Sequence, residues 1–270
     1  MQTVLITGGS SGIGYQISRL FAQDGYRLLW VSKPAEELAK AKTLLTQEVA
    51  QVEIHTLAKD LSEASAAQET YDWAQSLGFQ VDVLVNNAGF ATYGQFEDVA
   101  SEKELAMIGV NLACVMLLTK LFVKDMVARD AGKILNISSA VSYEAVPLMA
   151  VYAGTKAFVR IMSESLYYEL KYRKSKVQIT TVCPAAIKDT RFQASAGMQK
   201  VRTFNSITTT TPVEVARDAY RGFKKGKKLV HTGLRYRLSR ILNLIVPKAL
   251  KMQVIRREME ELESFKVKDR

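Results

Sequence analysis

The chain of 270 residues contains two cysteines, Cys114 and Cys183, and both stand in apolar runs. They lack the paired spacing of a disulfide framework or of a zinc site. We therefore expect neither a disulfide nor a metal site. A reducing compartment, the cytoplasm, fits this use of cysteine.

Two kinds of long apolar segment are also missing. No basic and apolar leader precedes the first residues, MQTVLITGG, and no run of eighteen apolar residues occurs anywhere. A secretory signal needs such a leader, and a membrane-spanning helix needs about 20 apolar residues. We therefore expect neither secretion nor a transmembrane helix.

The net charge of +10 comes from one region of the chain. Residues 1–220 hold 22 basic and 22 acidic side chains, whereas residues 221–270 hold 15 basic and 5 acidic ones. Aromatic residues are sparse among these basic residues, and the rest of the chain is neutral. Nucleic-acid binding is therefore not expected.

Short apolar segments rich in β-branched residues alternate with helical patterns along the chain. The strand candidates are TVLITG, RLLWVS, QVEIHTLAKD, VDVLVNNAG, GKILNISS, VQITTVCPA and KKLVHTG. Strands that are apolar throughout and alternate with helices predict a mostly parallel sheet covered on both faces. We predict an α/β fold with a doubly wound sheet, formed by one domain over residues 1–233 and followed by a helical extension over residues 234–270.

Glycines follow the first strand candidate, where a sheet of this kind binds ligands. The segment TGGSSGIG places Gly8, Gly12 and Gly14 directly before a helix. Glycine lets backbone amides approach a pyrophosphate, and a helix N-terminus favours negative charge. A tight turn would use the same glycines, but their position after an N-terminal strand favours a dinucleotide site.

The ends of the next strands bear on the choice of nucleotide. An acidic residue after the second strand binds the ribose 2′-hydroxyl of NAD, whereas a 2′-phosphate requires a cation. Ser32 and Lys33 stand there with no acid, which favours NADP(H), with NAD and a merely solvated lysine as the alternatives. Asp60 ends the third strand, where it can bind the adenine amino group or cap the next helix. The turn NNAG, at residues 86–89, can lie flat against a nucleotide.

Four tyrosines precede a lysine by one helical turn, namely Tyr152, Tyr167, Tyr172 and Tyr220. Residues four apart share a helix face, so in each pair the ammonium can act on the phenol. Tyr152 alone follows a polar strand end, NISS, which supplies Ser138 and Ser139. Ser139 lies thirteen residues upstream of Tyr152. The context therefore selects Tyr152 and Lys156.

The motifs TGGSSGIG, NNAG, NISS, YAGTK and VCPAAI, with the asparagine of IGVNLA, make residues 1–233 similar to the short-chain dehydrogenase/reductase superfamily. Each motif is modest alone, but their order and spacing together are specific. The resemblance implies a Rossmann-type fold, a nicotinamide cofactor and assembly as a homodimer or homotetramer. It also implies an Asn–Ser–Tyr–Lys tetrad, which falls by motif on Asn111, Ser139, Tyr152 and Lys156.

The strand ends and the resemblance together define a predicted cofactor-binding set. Its members are Gly8, Ser10, Ser11, Gly12, Ile13, Gly14, Ser32, Lys33, Asp60, Leu61, Asn87, Ala88, Gly89, Tyr152, Lys156, Pro184, Ile187 and Thr190.

Each member of the tetrad has an expected role. A tyrosine with its ordinary pKa of about 10 is a poor proton shuttle at neutral pH, and a nearby ammonium stabilises the phenolate. Lys156 is expected to supply that charge and to hold the nicotinamide ribose, while Tyr152 exchanges a proton with the substrate. Ser139 is expected to bind the same substrate oxygen, and Asn111 to position a water that links Lys156 to solvent.

One stretch departs from the family pattern. The family usually has Pro-Gly after the sixth strand and a threonine shortly beyond, whereas this chain reads PAAIKDT, without the glycine and with Thr190 one residue late. Ile187 is expected to keep its backbone contacts to the nicotinamide carboxamide. Residues 188–211 have no clear period, and the resemblance implies that they form a substrate lid.

The extension begins with an amphipathic pattern. Its apolar stripe consists of Leu234, Leu238, Ile241, Leu242 and Ile245. Arginines flank the stripe, and Pro247 interrupts it. Such a helix can lie on an anionic membrane, so residues 234–257 are a candidate for peripheral membrane contact. It can equally pack on the sheet domain or on a second subunit.

Three functions stay open on the sequence alone. The first is an NADP(H)-dependent oxidoreductase that transfers a hydride between nicotinamide and a small-molecule carbonyl or alcohol. The second is a non-catalytic dinucleotide-binding regulator, which would be expected to have lost the tyrosine or the lysine. The third is a membrane-associated reductase of a long-chain keto lipid. No motif in the lid identifies the substrate.

Overall fold

Seven parallel strands form one sheet in the computed structural model, which describes residues 1–188, 191–243 and 246–261. The strands are β1 (Thr3–Thr7), β2 (Arg27–Ser32), β3 (Ile54–Ala58), β4 (Val83–Asn86), β5 (Lys133–Ile137), β6 (Gln178–Cys183) and β7 (Leu229–His231). Their order across the sheet is β3-β2-β1-β4-β5-β6-β7. The predicted doubly wound α/β fold and all seven strand candidates are confirmed.

Helices connect the strands and cover both faces of the sheet. They are α1 (Gly12–Gln23), α2 (Ala35–Glu48), α3 (Ala66–Ser76), α4 (Ser101–Ile108), α5 (Val115–Ala128), α6 (Ala150–Tyr172), α7 (Arg191–Ser195), α8 (Pro212–Lys224), α9 (Leu234–Asn243) and α10 (Lys248–Met259). A π-helical segment, Gly109–Cys114, joins α4 to α5. Short 3-10 turns span Ala140–Tyr143 and Arg202–Asn205.

The alternation of side chains along each strand divides the core into two layers. In β1, Val4 and Ile6 pack with residues of α1, α2 and α8, while Leu5 packs with residues of α3, α5 and α6. All three side chains are fully buried. Successive strand side chains point to opposite faces, so a sheet covered on both faces needs apolar residues at every position.

The strand order places the ligand crevice. The chain proceeds outward from β1 to β3 and then returns to the other side of β1, where Val4 is level with Val83 and Ile6 with Val85. A doubly wound sheet opens a crevice at this reversal, beyond the carboxyl ends of its strands. The loops that follow β1, β4, β5 and β6 therefore surround one opening.

The continuous helix from Ser101 to Ala128 is long and apolar enough to cross a membrane by length and composition alone. Our search for apolar runs did not predict this, because Lys120, Lys124 and Asp125 interrupt the run. The core helix of a soluble protein passes the same test. Here Leu118, Phe122 and Met126 are buried in one core cluster, so one face of the helix packs against the sheet, while 39% of the apolar window is buried.

The C-terminal extension packs on the sheet domain. Arg237 of α9 donates to the carboxylate of Asp218 at 2.8 Å and to the carbonyl of His231 at 2.6 Å. Lys251 of α10 forms an ion pair with Glu144 at 3.2 Å. Of the alternatives open on the sequence, docking on the fold is therefore realised over the described residues.

The predicted apolar stripe is only partly described by the structure. Leu234 and Leu238 lie on α9 with 69% and 55% of their surface exposed. Ile245 and the side chains of Ile241 and Leu242 lie outside the described part of the chain. The predicted interruption at Pro247 is confirmed, because this residue precedes the first turn of α10.

Candidate active site

The glycine loop after β1 has the geometry that its glycines predict. Gly8 and Gly12 have positive φ angles of 68° and 52°, a region that favours glycine. A Cβ atom on Gly14 would collide with the carbonyl oxygen of Gly8. A Cβ atom on Gly12, by contrast, would meet no atom within 4 Å. Two glycines therefore set the turn, and the third lets α1 start directly beneath it.

Thr7 and Asn87 connect the first and fourth strand ends. The Thr7 hydroxyl accepts hydrogen bonds from the backbone amides of Asn87 and Ala88, at 3.0 and 3.1 Å. The side-chain amide of Asn87 donates to the carbonyls of Thr7 and Gly8, at 3.0 and 3.1 Å. These bonds hold the turn NNAG against the glycine loop, where the nucleotide was predicted to bind.

A polar cluster stands at the second and third strand ends. Ser10 donates to the hydroxyl of Ser32 at 3.1 Å, and Lys33 is paired with the carboxylate of Asp60. Asp60 also accepts from the amide and the hydroxyl of Ser62, at 3.0 and 2.8 Å. Burial raises the pKa of Asp60, but the hydrogen bonds from Lys33 and Ser62 outweigh it and hold this pKa at about 2. Asp60 is therefore an anion that both caps its turn and lines the cleft.

Among the four tyrosine–lysine pairs, Tyr152 is the tyrosine that lines the cleft. Tyr220 donates to Asp24 at 2.7 Å, at the C-terminal end of α1. Tyr167 packs against the second core layer, and Tyr172 is exposed at the end of α6. Tyr152 lies at the cleft, and its catalytic role stays a prediction.

Ser139, Tyr152 and Lys156 come together beyond the end of β5. The Ser138 hydroxyl donates to the Lys156 carbonyl at 2.7 Å, which fixes α6 against the strand end. The Lys156 ammonium donates to the carbonyl of Ile137 at 3.2 Å and lies 5.9 Å from the ring centroid of Tyr152. Tyr152 and Lys156 are both buried.

Burial dominates the ionisation of this pair. It raises the pKa of Tyr152 to about 12, against the hydrogen bond with Ser139, which acts to lower it. Burial also lowers the pKa of Lys156 to about 8. We expected Lys156 to lower the pKa of Tyr152, and the direction found is the opposite. The cost of desolvating the phenolate outweighs the hydrogen bond with Ser139, so the phenol is protonated at neutral pH.

Asn111 lies in the π-helical segment, a local deviation that often marks a functional site. Its side-chain oxygen accepts from the Phe90 amide at 3.1 Å, and its nitrogen donates to the Phe90 carbonyl at 2.8 Å. A Cβ atom on Gly89 would lie 2.9 Å from the Asn111 oxygen and 3.2 Å from the Lys156 nitrogen. The amide and the ammonium therefore converge on one point beside Gly89.

A cleft of about 820 Å³ joins the predicted residues. Those that line it are Gly8, Ser11, Gly12, Ile13, Ser32, Lys33, Asp60, Leu61, Asn87, Ala88, Gly89, Ser139, Tyr152, Lys156, Pro184 and Ile187. Ser10, Gly14 and Asn111 do not line it. Instead, Ser10 bonds to Ser32, Gly14 lies against the glycine loop, and Asn111 bonds to the backbone of Phe90. Thr190 lies outside the described residues.

The cleft has two unlike halves. The glycine-loop half consists of Gly8, Ser11, Gly12, Ile13, Ser32, Lys33, Lys59, Asp60, Leu61, Ser62, Asn87 and Ala88. The apolar half consists of Phe90, Val141, Met149, Phe192, Met198, Phe204 and Met259, which pack in one cluster with Tyr152. The ring centroids of Tyr152 and Phe192 are 5.5 Å apart.

Sequence reasoning missed the apolar half. Phe192, Met198 and Phe204 fall within the predicted lid, so their region was anticipated but not their roles. Met259 and Tyr236 belong to the extension, and both line the cleft. No motif marks these residues, because apolar side chains in a helical pattern look the same whether they line a cleft or fill a core.

Known proteins with similar sequences identify the family of this chain. The sequence profile of the short chain dehydrogenase family matches residues 2–201. The very-long-chain 3-oxoacyl-CoA reductase of Bos taurus is 33% identical over 186 residues, which cover 67% of this chain and 57% of that protein. This chain therefore spans little more than half the length of that relative.

Two solved structures share the fold over most of the chain. A short-chain dehydrogenase from Sphingobium yanoikuyae in complex with NADPH has a TM-score of 0.78 and 26% identity, and the match covers 92% of this chain and 98% of that one. An alcohol dehydrogenase from Thermococcus sibiricus complexed with 5-hydroxy-NADP has a TM-score of 0.73 and 28% identity, covering 87% and 97%. With its sheet order, glycine loop and Ser139–Tyr152–Lys156 cluster, the chain belongs to the short-chain dehydrogenase family of oxidoreductases.

Proposed function

We propose that the protein is an NADP(H)-dependent oxidoreductase that interconverts a carbonyl and an alcohol by means of Asn111, Ser139, Tyr152 and Lys156. The observation that carries this proposal is the convergence of Ser139, buried Tyr152 and buried Lys156 in a cleft that begins at the glycine loop. A purely structural tyrosine–lysine pair would not need a cleft. The same observation disfavours the non-catalytic regulator.

The cleft fits a nicotinamide dinucleotide. Its volume lies within the usual range for cofactor sites, and the open space above Gly12 gives a pyrophosphate access to the N-terminus of α1. When bound, the cofactor supplies or accepts the hydride.

The residues of the chain manage the proton and the developing charge. In the reducing direction, Tyr152 donates its phenolic proton to the substrate oxygen, which its raised pKa permits because the phenol is neutral. Ser139 donates a hydrogen bond to the same oxygen and stabilises negative charge as it develops there. Lys156 opposes the charge left on the phenolate, and Asn111 holds the backbone of Phe90 beside it.

NADP(H) is the proposed cofactor rather than NAD. Lys33 is exposed at the end of β2, next to Ser32, and the carboxylate there is already neutralised by Lys33 itself. A 2′-phosphate can compete with Asp60 for the Lys33 ammonium. Asp60 would then keep its hydrogen bonds from the amide and hydroxyl of Ser62. The NADPH and 5-hydroxy-NADP in the two similar structures support the same preference.

The proposed substrate is a ketone, or the matching alcohol, on a long apolar chain, such as a 3-oxoacyl thioester. Phenylalanine and methionine side chains make up most of the apolar half of the cleft, beside the hydroxyl groups of Ser195, Thr203 and Thr208. An apolar chain gains more from burial against such a wall than a polar sugar does. The name of the bovine relative supports the oxoacyl class.

A spectrophotometric assay tests the reaction. Oxidation of NADPH, followed by its absorbance, is expected with 3-oxoacyl thioesters and to be slower with NADH. Tyr152→Phe should reduce kcat on the order of 10³-fold, because the proton donor is lost, while the dissociation constant for NADPH stays nearly unchanged. Substantial turnover by the variant would refute the assigned role of Tyr152.

We also propose that the protein associates with anionic membranes through its extension. Leu234 and Leu238 on α9 remain exposed, although the extension is docked, and residues 221–270 carry the whole excess of positive charge. Exposed leucines beside basic residues can bind an anionic lipid surface. A long-chain substrate would be delivered from the same surface.

Co-sedimentation with vesicles tests this association. Vesicles of phosphatidylserine and phosphatidylcholine should bind the wild-type protein, and the double variant Leu234→Ser, Leu238→Ser should bind several-fold less. Leu44→Ser, at an exposed leucine of α2, is the matched control and should bind as the wild type does. Equal binding by all three proteins would reject the association.

Assembly as a homodimer or homotetramer is proposed from the family and from exposed apolar side chains. Met116 and Val127 on α5, and Ile161 and Tyr172 on α6, face solvent in the single chain. Covering them between subunits would remove apolar surface from water. Light scattering should give a mass of at least two chains, and a monomer at micromolar concentration would contradict the proposal.

A further inference from the structure

Met259, the last residue of α10, is buried in the cleft, whereas Arg256 and Arg257 in the same turn are exposed. Leu250 and Val254 are 52% and 61% exposed, whereas Met259 is 5% exposed. Met259 lines the cleft and packs with Met198, Phe204 and Tyr152 in one apolar cluster. A solvent-facing helix of the extension thus ends by placing one side chain beside the reaction centre.

Three backbone contacts fix this end of α10. The Tyr93 hydroxyl donates to the Met259 carbonyl at 2.6 Å, and the Arg202 amide donates to the Glu260 carbonyl at 3.1 Å. Val201 forms an antiparallel bridge with Glu261. The contacts come from the loop that follows β4 and from the predicted lid, so Met259 is held from both sides of the cleft.

These contacts involve only the backbone of the extension. The side chain of Met259 therefore has no structural bond to maintain, and its contacts are with other apolar side chains of the cleft wall. A flexible thioether in such a position fills space that a substrate chain would otherwise enter.

We propose that Met259 is a specificity-determining residue, which limits the length of the apolar chain that the cleft accepts. The inference rests on the proposed function for the reaction, but it concerns the space in the apolar half and not the chemistry. Shortening Met259 to alanine removes the wall while the backbone clamp by Tyr93 and Arg202 stays in place. The extra space then admits further methylene groups, each of which contributes about 0.8 kcal/mol when it is buried.

The experiment compares chain-length profiles. Wild type, Met259→Ala and Met259→Leu would be assayed with NADPH and 3-oxoacyl N-acetylcysteamine thioesters from butanoyl to hexadecanoyl. Met259→Ala is expected to raise the ratio of kcat/KM for the longest chain to that for the shortest by about tenfold. Met259→Leu conserves volume and should leave the ratio within about twofold. Val254→Ala, on the exposed face of the same helix, is the second control and should not change the ratio.

Binding separates failure of this inference from failure of the proposed function. The dissociation constants of the corresponding 3-hydroxyacyl thioesters would be measured by calorimetry for the same proteins, and thermal unfolding would verify that each variant is folded. Stronger binding of the longest chain by Met259→Ala supports the inference even if no protein oxidises NADPH. An unchanged profile in both turnover and binding, with Met259→Ala folded, overturns it.

Discussion

The glycine-loop half of the cleft is made mainly of backbone and polar side chains from the first 88 residues, whereas the apolar half is made of apolar side chains from five separate segments. In the first half, Gly8 and Asn87 are fixed by hydrogen bonds to strand ends. In the second half, the side chains of Phe192, Phe204 and Met259 are placed by packing, and hydrogen bonds hold only their backbone.

This difference explains why the glycine-loop half could be predicted from the sequence and the apolar half could not. A site formed by closely packed backbone permits few residue types, since a Cβ atom at Gly14 would collide with the carbonyl oxygen of Gly8. An apolar wall accepts many residue types of similar volume. The glycine-loop half therefore suits a constant cofactor, and the apolar half can adapt to different substrates.

The largest effect is expected from a substitution that disrupts the glycine-loop half. Gly14→Ala should weaken NADPH binding more than a hundredfold and lower the free energy of unfolding by about 1–3 kcal/mol, because the new methyl group collides with the carbonyl of Gly8. Fluorescence titration with NADPH and chemical denaturation measure the two quantities.

Gly154→Ala is the matched control for this prediction. Gly154 is exposed in the second turn of α6, and a Cβ atom there would meet no other atom within 4 Å. The substitution should stabilise the protein by up to about 1 kcal/mol. If Gly14→Ala proved equally harmless, the tight geometry assigned to the loop would be wrong.

A smaller change should alter only the choice of nucleotide. Lys33→Ala removes the ammonium at the end of β2 and should raise KM for NADPH about tenfold, because a charged hydrogen bond to the 2′-phosphate is lost. KM for NADH should change much less. Lys40→Ala, at an exposed position on α2, should affect neither value, and equal changes for both nucleotides in the Lys33 variant would contradict the proposed preference.

In the apolar half, Phe192→Ala should act on the substrate alone. The ring lines the cleft beside Tyr152, with centroids 5.5 Å apart. Its loss should raise KM for a long-chain substrate about fivefold, since about 1 kcal/mol of apolar contact with the substrate chain disappears. The dissociation constant for NADPH should stay within twofold of the wild type. A matching loss of NADPH affinity would show that the two halves are not separable.

The smallest expected effect is a change of activity with pH, and it concerns Lys156. Lys156 has a pKa lowered to about 8 by burial, so its charge is lost as pH rises through that value. The value of kcat/KM for NADPH, which reports the free enzyme, should fall above pH 8. A profile that is flat to pH 10 would show that this charge is not required.

Stability gives an independent check on Lys156. Below pH 8 the buried ammonium is charged in both the folded and the unfolded chain, and its burial cost is fully present. Between pH 8 and the ordinary pKa of 10.5 the unfolded chain binds more protons, so this residue's contribution to stability rises with pH. The difference in unfolding free energy between the wild type and Lys156→Met should rise over this window, and no change would contradict the lowered pKa.

The sequence by itself determined the parallel sheet, the order of its elements, the glycine loop and the choice of Tyr152 among four candidates. These follow from local rules: strands buried on both faces are apolar throughout, positive φ angles favour glycine, and residues four apart share a helix face. The departure at residues 184–190 was also visible, although Thr190 itself lies outside the described residues.

Only the tertiary structure decided the ionisation of Tyr152 and Lys156 and the wall of the apolar half. Desolvation depends on every atom around a group, so the raised pKa of Tyr152 could not be inferred from one lysine four residues away. Met259 lies 107 positions beyond Tyr152 in the chain, and no local pattern records that the two share a cluster. Long-range packing brings such residues together, and packing constrains volume and polarity far more than it constrains residue type.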